Sequence, residues 1–194
     1  MAYETYTTEA LVCGSHMRGE HDATIRLYTK GAGMIYARAG GVRAGQSKLR
    51  YALQDFSYTK VSLVHGRIEW RIIGAVSIEN FYYQSERREA RVSQLASMRA
   101  LRRLMQGGTA HPELFDMVIE SMRSLATGLH TGIGEQLFLL RLLYQLGYVA
   151  PHSSLDSLVS SETLIEACSL YTKGGRIQKV VADIIDKALL SSHL

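Results

Sequence analysis

The sequence predicts an α+β protein made of two segregated domains, a β-rich domain over residues 1–80 and an all-helical domain over residues 81–194. In the first domain, apolar and polar residues alternate over short segments, which is the pattern of half-buried strands. In the second domain, apolar residues recur every three or four positions, which is the pattern of amphipathic helices. The basic residues are concentrated in the N-terminal part of the chain, where residues 1–107 hold 16 Lys and Arg against nine Asp and Glu.

About five segments of the first domain carry the strand pattern, at residues 3–13, 24–28, 34–39, 56–65 and 68–78. A polar loop is expected at residues 14–20. The sequence Lys30-Gly31-Ala32-Gly33 indicates a tight hairpin between the second and third strands, because glycine tolerates the positive φ that such turns need. Pairing of these two strands places four side chains together on the exposed face: Arg26, Tyr28, Tyr36 and Arg38.

Many short strands, with no helix longer than a turn or two between them, predict a small closed barrel. An N-terminal OB-fold is the first choice, and an SH3-like barrel is the alternative. Trp70 alternates in phase with Ile68 and Ile72. We therefore expect Trp70 in the core of the barrel rather than on its surface as a stacking platform.

The stretch from Ala23 to Gln54 contains no Asp or Glu, and glycines divide it into short pieces. A loop at residues 40–47 leads to a helical turn at 47–53, for which Ser47 is the expected cap. Cations interleaved with aromatic residues suit a phosphate backbone with bases to stack. The stretch therefore predicts a nucleic-acid-binding surface of eight residues: Arg26, Tyr28, Lys30, Tyr36, Arg38, Arg43, Lys48 and Arg50. An ordinary solvated sheet face is the alternative.

Five helices are expected in the second domain, at residues 86–106, 112–127, 133–146, 161–171 and 176–190. The first has an apolar side formed by Leu95, Met98, Leu101 and Met105. Its arginine-rich side, from Arg87 to Arg103, is either a solvated face or an extension of the basic surface. The third helix is apolar nearly all round, so we expect it at the centre of a bundle, closed by Gly147.

Several classes of function find no support in the residues. Cys13 and Cys168 lie far apart, and the seven histidines show no ligand spacing, so we expect neither a metal nor a cofactor. No apolar run approaches the ~20 residues that span a bilayer, and residues 1–10 do not resemble a signal peptide, so a cytoplasmic location without membrane contact is expected. The sequence contains no motif for a phosphate-binding loop, a nucleophile elbow or a catalytic triad, so we do not expect the protein to be an enzyme.

Five short segments follow one another in a specific order: Gly19-Glu20-His21-Asp22, Leu27-Tyr28-Thr29-Lys30-Gly31-Ala32-Gly33, Gly41-Val42-Arg43, Ser47-Lys48-Leu49-Arg50 and Ala52-Leu53-Gln54-Asp55-Phe56. Together they resemble the N-terminal domain of the bacterial recombination-mediator family RecO. The later segment from Leu139 to Tyr148 is similar to the end of a helix in the helical domain of that family. The resemblance covers residues 8–80 continuously and residues 130–150 more thinly.

The resemblance implies an OB-fold followed by a helical domain, and a protein of the nucleoid that takes part in DNA repair. It implies binding of single- and double-stranded DNA, annealing of complementary strands, and help in loading the recombinase onto DNA coated with single-strand-binding protein. Two protein partners are implied, RecR and the acidic C-terminal tail of the single-strand-binding protein. For such a tail we expect a docking site at basic residues beside apolar helices: Arg141, Lys173, Arg176 and Lys179.

The chain departs from the family pattern in three ways. Gly40 stands where the family has a lysine, and Asp55 stands where it has a proline. With two cysteines the chain cannot hold the four-cysteine zinc module of many members, and we expect a short form. Two other functions stay open from the residues alone: an OB-type RNA- or ribosome-binding protein, and a protein-interaction adaptor that uses the helical domain.

Overall fold

The computed structural model of the chain describes residues 4–173 and 177–191. Five strands come first: β1 (Thr5–Arg18), β2 (Asp22–Thr29), β3 (Gly33–Ala39), β4 (Ser57–His65) and β5 (Trp70–Asn80). Eight helices are present in the described part: α1 (Leu49–Ala52), α2 (Phe81–Gln84), α3 (Arg88–Leu104), α4 (Pro112–Ala126), α5 (Thr131–Gln145), α6 (Asp156–Val159), α7 (Leu164–Lys173) and α8 (Ile177–Ser191). The prediction of a strand-rich first part and a helical second part is confirmed.

The five strands form a closed barrel in the order β1-β2-β3-β5-β4. Strand β1 pairs antiparallel with β2 on one side and with β4 on the other. The barrel closes through a short parallel contact between β3 and β5, at Ala37↔Trp70 and Arg38↔Arg71. This is the topology of an OB-fold, and the predicted fold class is confirmed.

The barrel interior is filled by the apolar side of each alternating strand, as the pattern predicts. Ile25, Leu27, Ala37, Val61 and Leu63 are all fully buried or nearly so. Each lies two positions from another inward-facing residue on its own strand, because side chains of a strand alternate between its faces. The pattern therefore indicated correctly which side of β2, β3 and β4 forms the core.

Trp70 is partly buried and packs against the core, with its ring 6.1 Å from that of Tyr6. Ile68, which was expected in phase with it, is instead 92% exposed and precedes the strand. The chain turns at Gly66, whose N–H donates to the carbonyl oxygen of Glu69 at 2.9 Å. The turn is thus longer than the alternation suggested, and β5 begins at Trp70.

The polar loop expected at residues 14–20 is wrong for most of its length. Strand β1 continues to Arg18, and only Gly19, Glu20 and His21 form the turn. An irregularity between Val12 and Gly14 shifts the register against β2, and the exposed residues beyond it remain paired. This extension of the strand is held by backbone hydrogen bonds. The polarity of its side chains therefore did not predict it.

The hairpin predicted at Lys30–Gly33 is confirmed, with Thr29 opposite Gly33 in the ladder. Gly33 has a φ of +64°, and a Cβ there would lie 2.3 Å from the backbone oxygen of Thr109. The helical turn after the glycine-rich loop is also confirmed. The predicted cap is wrong, because Lys48 rather than Ser47 occupies the N-cap position of α1 and makes no side-chain cap hydrogen bond.

The described residues divide into two compact units. The first contains the residues up to Tyr83 together with Met105–Phe115, and the second contains Gln84–Leu104 and the residues from Asp116 onward. The first unit thus holds the barrel and a short segment that follows α3. A single domain boundary at residue 80 remains a prediction.

Helix α5 has five fully buried side chains in the second unit: Leu137, Phe138, Leu140, Leu142 and Leu143. Its end is a Schellman motif, in which Tyr148 N–H donates to Leu143 and Gly147 N–H donates to Tyr144, at 2.9 and 3.0 Å. Gly147 has a φ of +79°, as the predicted stop requires. Both the central position of this helix and its closing glycine are confirmed.

The apolar side predicted for α3 is only partly correct. Met98 and Leu101 are buried, but Leu95 is exposed and the polar residue Gln94 is buried in its place. The Gln94 amide accepts a hydrogen bond from Ser85 Oγ at 3.0 Å and donates to the carbonyl oxygen of Met122 at 3.3 Å. Hydrogen bonds offset the cost of burying this amide, which periodicity alone does not register.

Within the described residues, no helix is both long and apolar enough to cross a membrane. The same residues contain no group of three or more His, Cys, Asp and Glu side chains placed to hold a metal ion.

Candidate nucleic-acid interface

The outer face of β2 and β3 brings Arg26 and Tyr36 together as cross-strand partners. The Arg26 guanidinium lies over the Tyr36 ring, 4.9 Å from its centroid, and Arg26 Nη2 donates a hydrogen bond to the Tyr36 hydroxyl. Arg38 lies on the same face, opposite Thr24. The prediction that these three side chains share a face is confirmed.

Tyr28, predicted on that face as a stacking residue, is fully buried. Its ring lies 5.5 Å from the ring of Phe115. The segment at residues 105–115 covers this end of the β2–β3 pair, where Met34 N–H donates to the carbonyl oxygen of Gly107 at 3.1 Å. Tyr28 is therefore part of the core, and its assignment as an exposed stacking residue is wrong.

Arg38 is neutralised within the fold. Its Nε and Nη2 donate to one carboxylate oxygen of Asp22 at 2.9 and 2.5 Å, and Nη1 lies 3.9 Å from Glu69. The other Asp22 oxygen accepts the Gly41 N–H at 2.9 Å. The Gly41 hydrogen bond, and then the Arg38 guanidinium, hold the pKa of Asp22 below its usual range, while Asp22 raises the pKa of Arg38. This cluster anchors the glycine-rich loop, and its arginine has a carboxylate as its counterion.

The glycine-rich loop places Arg43 at the rim of a cleft in the barrel unit. The Arg43 N–H donates to the carbonyl oxygen of His21 at 3.0 Å, and its Nη1 donates to that of Gly19 at 3.3 Å. Arg50 of α1 also lines the cleft. Both arginines are exposed, and neither has a carboxylate partner among the described residues. Their charges are thus available to an anionic ligand.

The cleft has a volume of about 580 Å³. Besides the two arginines, its lining contains apolar residues that form a floor, two tyrosines that form a wall, and three other polar residues: Ser15, Met17, Ala23, Ile25, Val42, Leu53, Gln54, Asp55, Phe56, Tyr82 and Tyr83. A cleft of this size lies within the range of ~300–1,000 Å³ that is usual for small-ligand sites. Cations at the rim and apolar rings within suit a ligand that is anionic at one end and flat and apolar at the other.

Asn80 holds the aromatic wall in place. Its Oδ1 accepts the N–H groups of Tyr82 and Tyr83 at 3.1 and 3.2 Å, which caps the short helix α2. Its Nδ2 donates to Ser57 Oγ at 2.9 Å and to the carbonyl oxygen of Asp55 at 3.1 Å. One amide therefore ties the tyrosines after β5 to the start of β4.

Phe56 forms part of the floor in an uncommon backbone conformation, with a φ of +67°. A non-glycine residue pays roughly 1–2 kcal/mol for this region. The conformation is held by two hydrogen bonds, from Phe56 N–H to Val12 at 2.9 Å and from Phe81 N–H to the Phe56 oxygen at 3.2 Å. It sets the Phe56 ring 5.8 Å from the Tyr82 ring.

Three residues of the cleft, Met17, Tyr82 and Tyr83, were not among the predicted binding residues. Met17 and Tyr83 are exposed large side chains, with 67% of Tyr83 accessible. The run Phe81-Tyr82-Tyr83 was a usable signal, since three consecutive aromatic residues cannot all face one side of a strand. Met17 lies in the part of β1 that was expected to be a loop.

The other predicted cations lie outside the cleft lining. Lys48 is exposed at the N-cap position of α1, two residues before Arg50. Lys30 is half-buried at the other end of β2, and its backbone N–H donates to the carbonyl oxygen of Glu9 at 3.0 Å. Of the eight predicted residues, two line the cleft (Arg43 and Arg50), three share the outer face (Arg26, Tyr36 and Arg38), two lie outside both groups (Lys30 and Lys48), and Tyr28 is buried.

Arg141, predicted as part of a docking surface, is buried in the helical unit with only 5% exposure. Its Nη2 donates to the carbonyl oxygen of Ser161 at 2.7 Å, and Nη1 lies 3.6 Å from Glu120. The assignment of Arg141 to an exposed surface is wrong. Lys173 and Lys179 are exposed as expected, and Arg176 lies outside the described residues.

Residues 1–78 match the family model for the N-terminal domain of recombination protein O. A DNA repair protein RecO from Rubrobacter xylanophilus is 29% identical over 74% of this chain and 58% of its own length. The protein of that name from Heliobacterium modesticaldum is 30% identical over 77% of this chain and 54% of its own length. The one from Desulfitobacterium hafniense is 28% identical over 74% and 52%, respectively.

The resemblance predicted from the residues is thus confirmed. The chain covers 52–58% of the length of these three relatives.

Proposed function

We propose that this chain is a DNA repair and recombination protein whose barrel binds DNA, because residues 1–78 match the family model for the N-terminal domain of recombination protein O. The cleft carries this proposal: two exposed arginines without carboxylate partners among the described residues stand beside the exposed Tyr83 and the half-buried Tyr82 in an OB-fold barrel. Arginines neutralise phosphates, and aromatic rings stack on bases, which is how OB-folds hold single strands.

We further propose that the protein binds both single- and double-stranded DNA and anneals complementary strands. Two complementary strands repel each other through their phosphates. A surface that neutralises phosphate charge lowers this repulsion and lets bases meet. The cations proposed for this role are Arg26, Lys30, Arg43, Lys48 and Arg50, with Tyr36 beside Arg26 as a further stacking surface. Arg38 contributes little, because Asp22 already neutralises it.

The experiment that tests DNA binding is a triple substitution at the cleft end of the barrel, Arg43→Ala, Lys48→Ala and Arg50→Ala. Each phosphate contact contributes roughly −0.7 to the slope of log affinity against log salt for a single strand. The triple variant should therefore weaken binding to all sequences about equally and flatten the slope by about two. RNA of the same length, measured in parallel, tests the alternative of an RNA-binding barrel.

A matched control removes three other exposed cations of the barrel, with the substitutions Lys60→Ala, Arg67→Ala and Arg71→Ala. It loses the same charge, but none of these residues lines the cleft. The control should retain most of the slope. If the Arg43, Lys48 and Arg50 triple variant keeps both its DNA affinity and its salt slope, the basic stretch at residues 23–54 is a solvated face. The arginine-rich side of α3 then becomes the candidate DNA surface.

For the helical domain we propose contacts with RecR and with the acidic tail of single-strand-binding protein, through which the recombinase is loaded. Lys173 and Lys179 are the exposed cations that support a site for an acidic peptide, with Arg176 between them in sequence. Replacing Lys173 and Lys179 by alanine in the full chain should weaken binding of such a tail peptide in a titration. An unchanged titration would place the peptide elsewhere.

A further inference from the structure

We infer that the cleft of the barrel seats one unpaired nucleobase, while the flanking phosphates lie on Arg43 and Arg50 at its rim. This inference rests on the proposed function and adds to it the chemical group that enters the cleft. It also assigns a stacking role to Tyr83, outside the stretch from which the binding surface was predicted.

The floor of the cleft decides which part of a nucleotide can enter. Ile25, Leu53 and Phe56 are buried apolar residues beneath it. A phosphate placed on this floor would lose its water without gaining a counterion, which is costly. A base is flat and largely apolar on its faces, so the same floor suits it.

The walls of the cleft provide the stacking surface. Tyr83 is 67% exposed, and its ring packs edge-on against the ring of Tyr82, 6.0 Å away. Met17 is also exposed along the lining and supplies a flexible, polarizable side chain. Stacking on an aromatic side chain accepts any base, because every base has a π face.

An uncharged polar group of the lining supports the same orientation. Gln54 lines the cleft. Its amide oxygen can accept hydrogen bonds from the amino groups on base edges. The base edge is therefore favoured inside the cleft and the phosphate outside, where the two arginines are exposed.

The tyrosine wall is organised before a ligand arrives. Asn80 holds the backbone N–H groups of Tyr82 and Tyr83 and is itself hydrogen-bonded to Ser57 and Asp55. The backbone of both tyrosines is therefore ordered already and loses little conformational entropy on binding. A base that is paired within a duplex cannot reach such a cleft unless it leaves the stack, which costs a few kcal/mol. The cleft should therefore favour single strands over duplexes.

The test compares Tyr83→Ala with the wild-type chain on an oligothymidine single strand and on a duplex of equal length. Stacking contributes about 1–3 kcal/mol per base, so single-strand affinity should fall roughly 5- to 150-fold. Duplex affinity and the salt slope should stay unchanged, because no phosphate contact is removed. Tyr83→Phe keeps the ring and should retain most of the affinity.

Tyr51 offers a matched control, because it is 73% exposed on α1 beside Arg50 but does not line the cleft. Tyr51→Ala should leave single-strand affinity within about twofold, a difference of ~0.4 kcal/mol. A single strand carrying one 2-aminopurine gives a direct readout. Its emission should change on binding to the wild-type chain and to Tyr51→Ala, and this change should be lost with Tyr83→Ala. Thermal unfolding of each variant checks that the barrel is folded.

Several results would overturn the inference. Equal loss of single-strand and duplex affinity in Tyr83→Ala would show that no base enters the cleft, and so would no loss at all. A Tyr51→Ala loss as large as that of Tyr83→Ala would place the stacking outside the cleft. In each case the proposed function stands if the Arg43, Lys48 and Arg50 triple variant still lowers the salt slope. If the wild-type chain binds neither strand nor duplex, the proposed function fails as well.

Discussion

Arg141 in the helical unit and the arginine pair Arg43 and Arg50 in the barrel unit carry the same charge in opposite surroundings. Arg141 is buried beside Glu120, and burial lowers its pKa. The barrel arginines are exposed at a cleft and have no carboxylate partner among the described residues. Removing the partner of the buried arginine should lower the free energy of unfolding and leave DNA affinity unchanged. Removing a cleft arginine should lower DNA affinity and leave the free energy of unfolding unchanged.

Glu120 explains why the buried arginine is tolerated. Its two carboxylate oxygens accept the Leu164 N–H at the start of α7, each at 3.0 Å, and one of them accepts the Ser124 hydroxyl. The Arg141 guanidinium meets the same carboxylate and also the Ser161 carbonyl oxygen. Glu120 therefore joins α4, α5 and the start of α7 through one carboxylate.

The largest effect is expected from Glu120→Ala. It leaves the Arg141 charge buried without its partner and uncaps α7, and breaking a buried pair typically costs ~3–5 kcal/mol. The Glu120 side chain keeps 23% exposure, so we expect the lower end, about 3 kcal/mol, in the free energy of unfolding. Urea denaturation measures it, and Asp183→Ala, on the exposed side of α8, is the control.

Two further results would sharpen this difference between the units. Adding Arg141→Met to Glu120→Ala should recover part of the lost stability, because no unpaired charge then stays buried.

Burial raises the pKa of the Cys168 thiol to about 11, and the thiol should resist alkylation in the native chain but react in Glu120→Ala. Unchanged DNA affinity in both variants is part of the expectation. A Glu120→Ala variant as stable as the wild-type chain would contradict it.

A smaller effect is expected within the barrel, between Arg38 and Arg43. Arg43→Ala should reduce the salt slope of single-strand binding by roughly 0.7, the value of one phosphate contact. Arg38→Ala should leave the slope unchanged, because Asp22 already neutralises this charge, and should lower the thermal unfolding temperature instead. Equal changes of the salt slope in Arg38→Ala and Arg43→Ala would show that both arginines contact phosphates equally, despite the ion pair of Arg38.

The smallest effect is a dependence of stability on pH through Asp22. Its pKa is lowered in the folded chain, so its contribution is complete above the unfolded value of about 3.9. That contribution is lost as the pH falls through the lower folded-state pKa. Asp22→Asn should therefore make the acid-induced loss of unfolding free energy shallower below about pH 4. Parallel curves of unfolding free energy against pH for Asp22→Asn and the wild-type chain would show that the Asp22 carboxylate does not stabilise the folded chain.

Much of this chain follows from its local sequence. Alternation identified the inward-facing residues of the strands, such as Ile25 and Leu63, because a strand shows its two faces in successive residues. The hairpin at Lys30–Gly33 and the helix stop at Gly147 followed from residues that accept a positive φ. The order of short segments also predicted the family resemblance, which the match of residues 1–78 confirms.

Tertiary structure alone decided which charged and aromatic residues are accessible. Tyr28 has an exposed-face position in its strand, but Phe115, far along the chain, packs on it. Arg38 and Arg141 match Arg43 in residue type, yet a carboxylate distant in sequence pairs with each of them. The cleft combines residues of β1, the glycine-rich loop, α1 and α2. Periodicity reports which side of an element is apolar, whereas accessibility depends on what other segments place against it, and no local pattern carries that information.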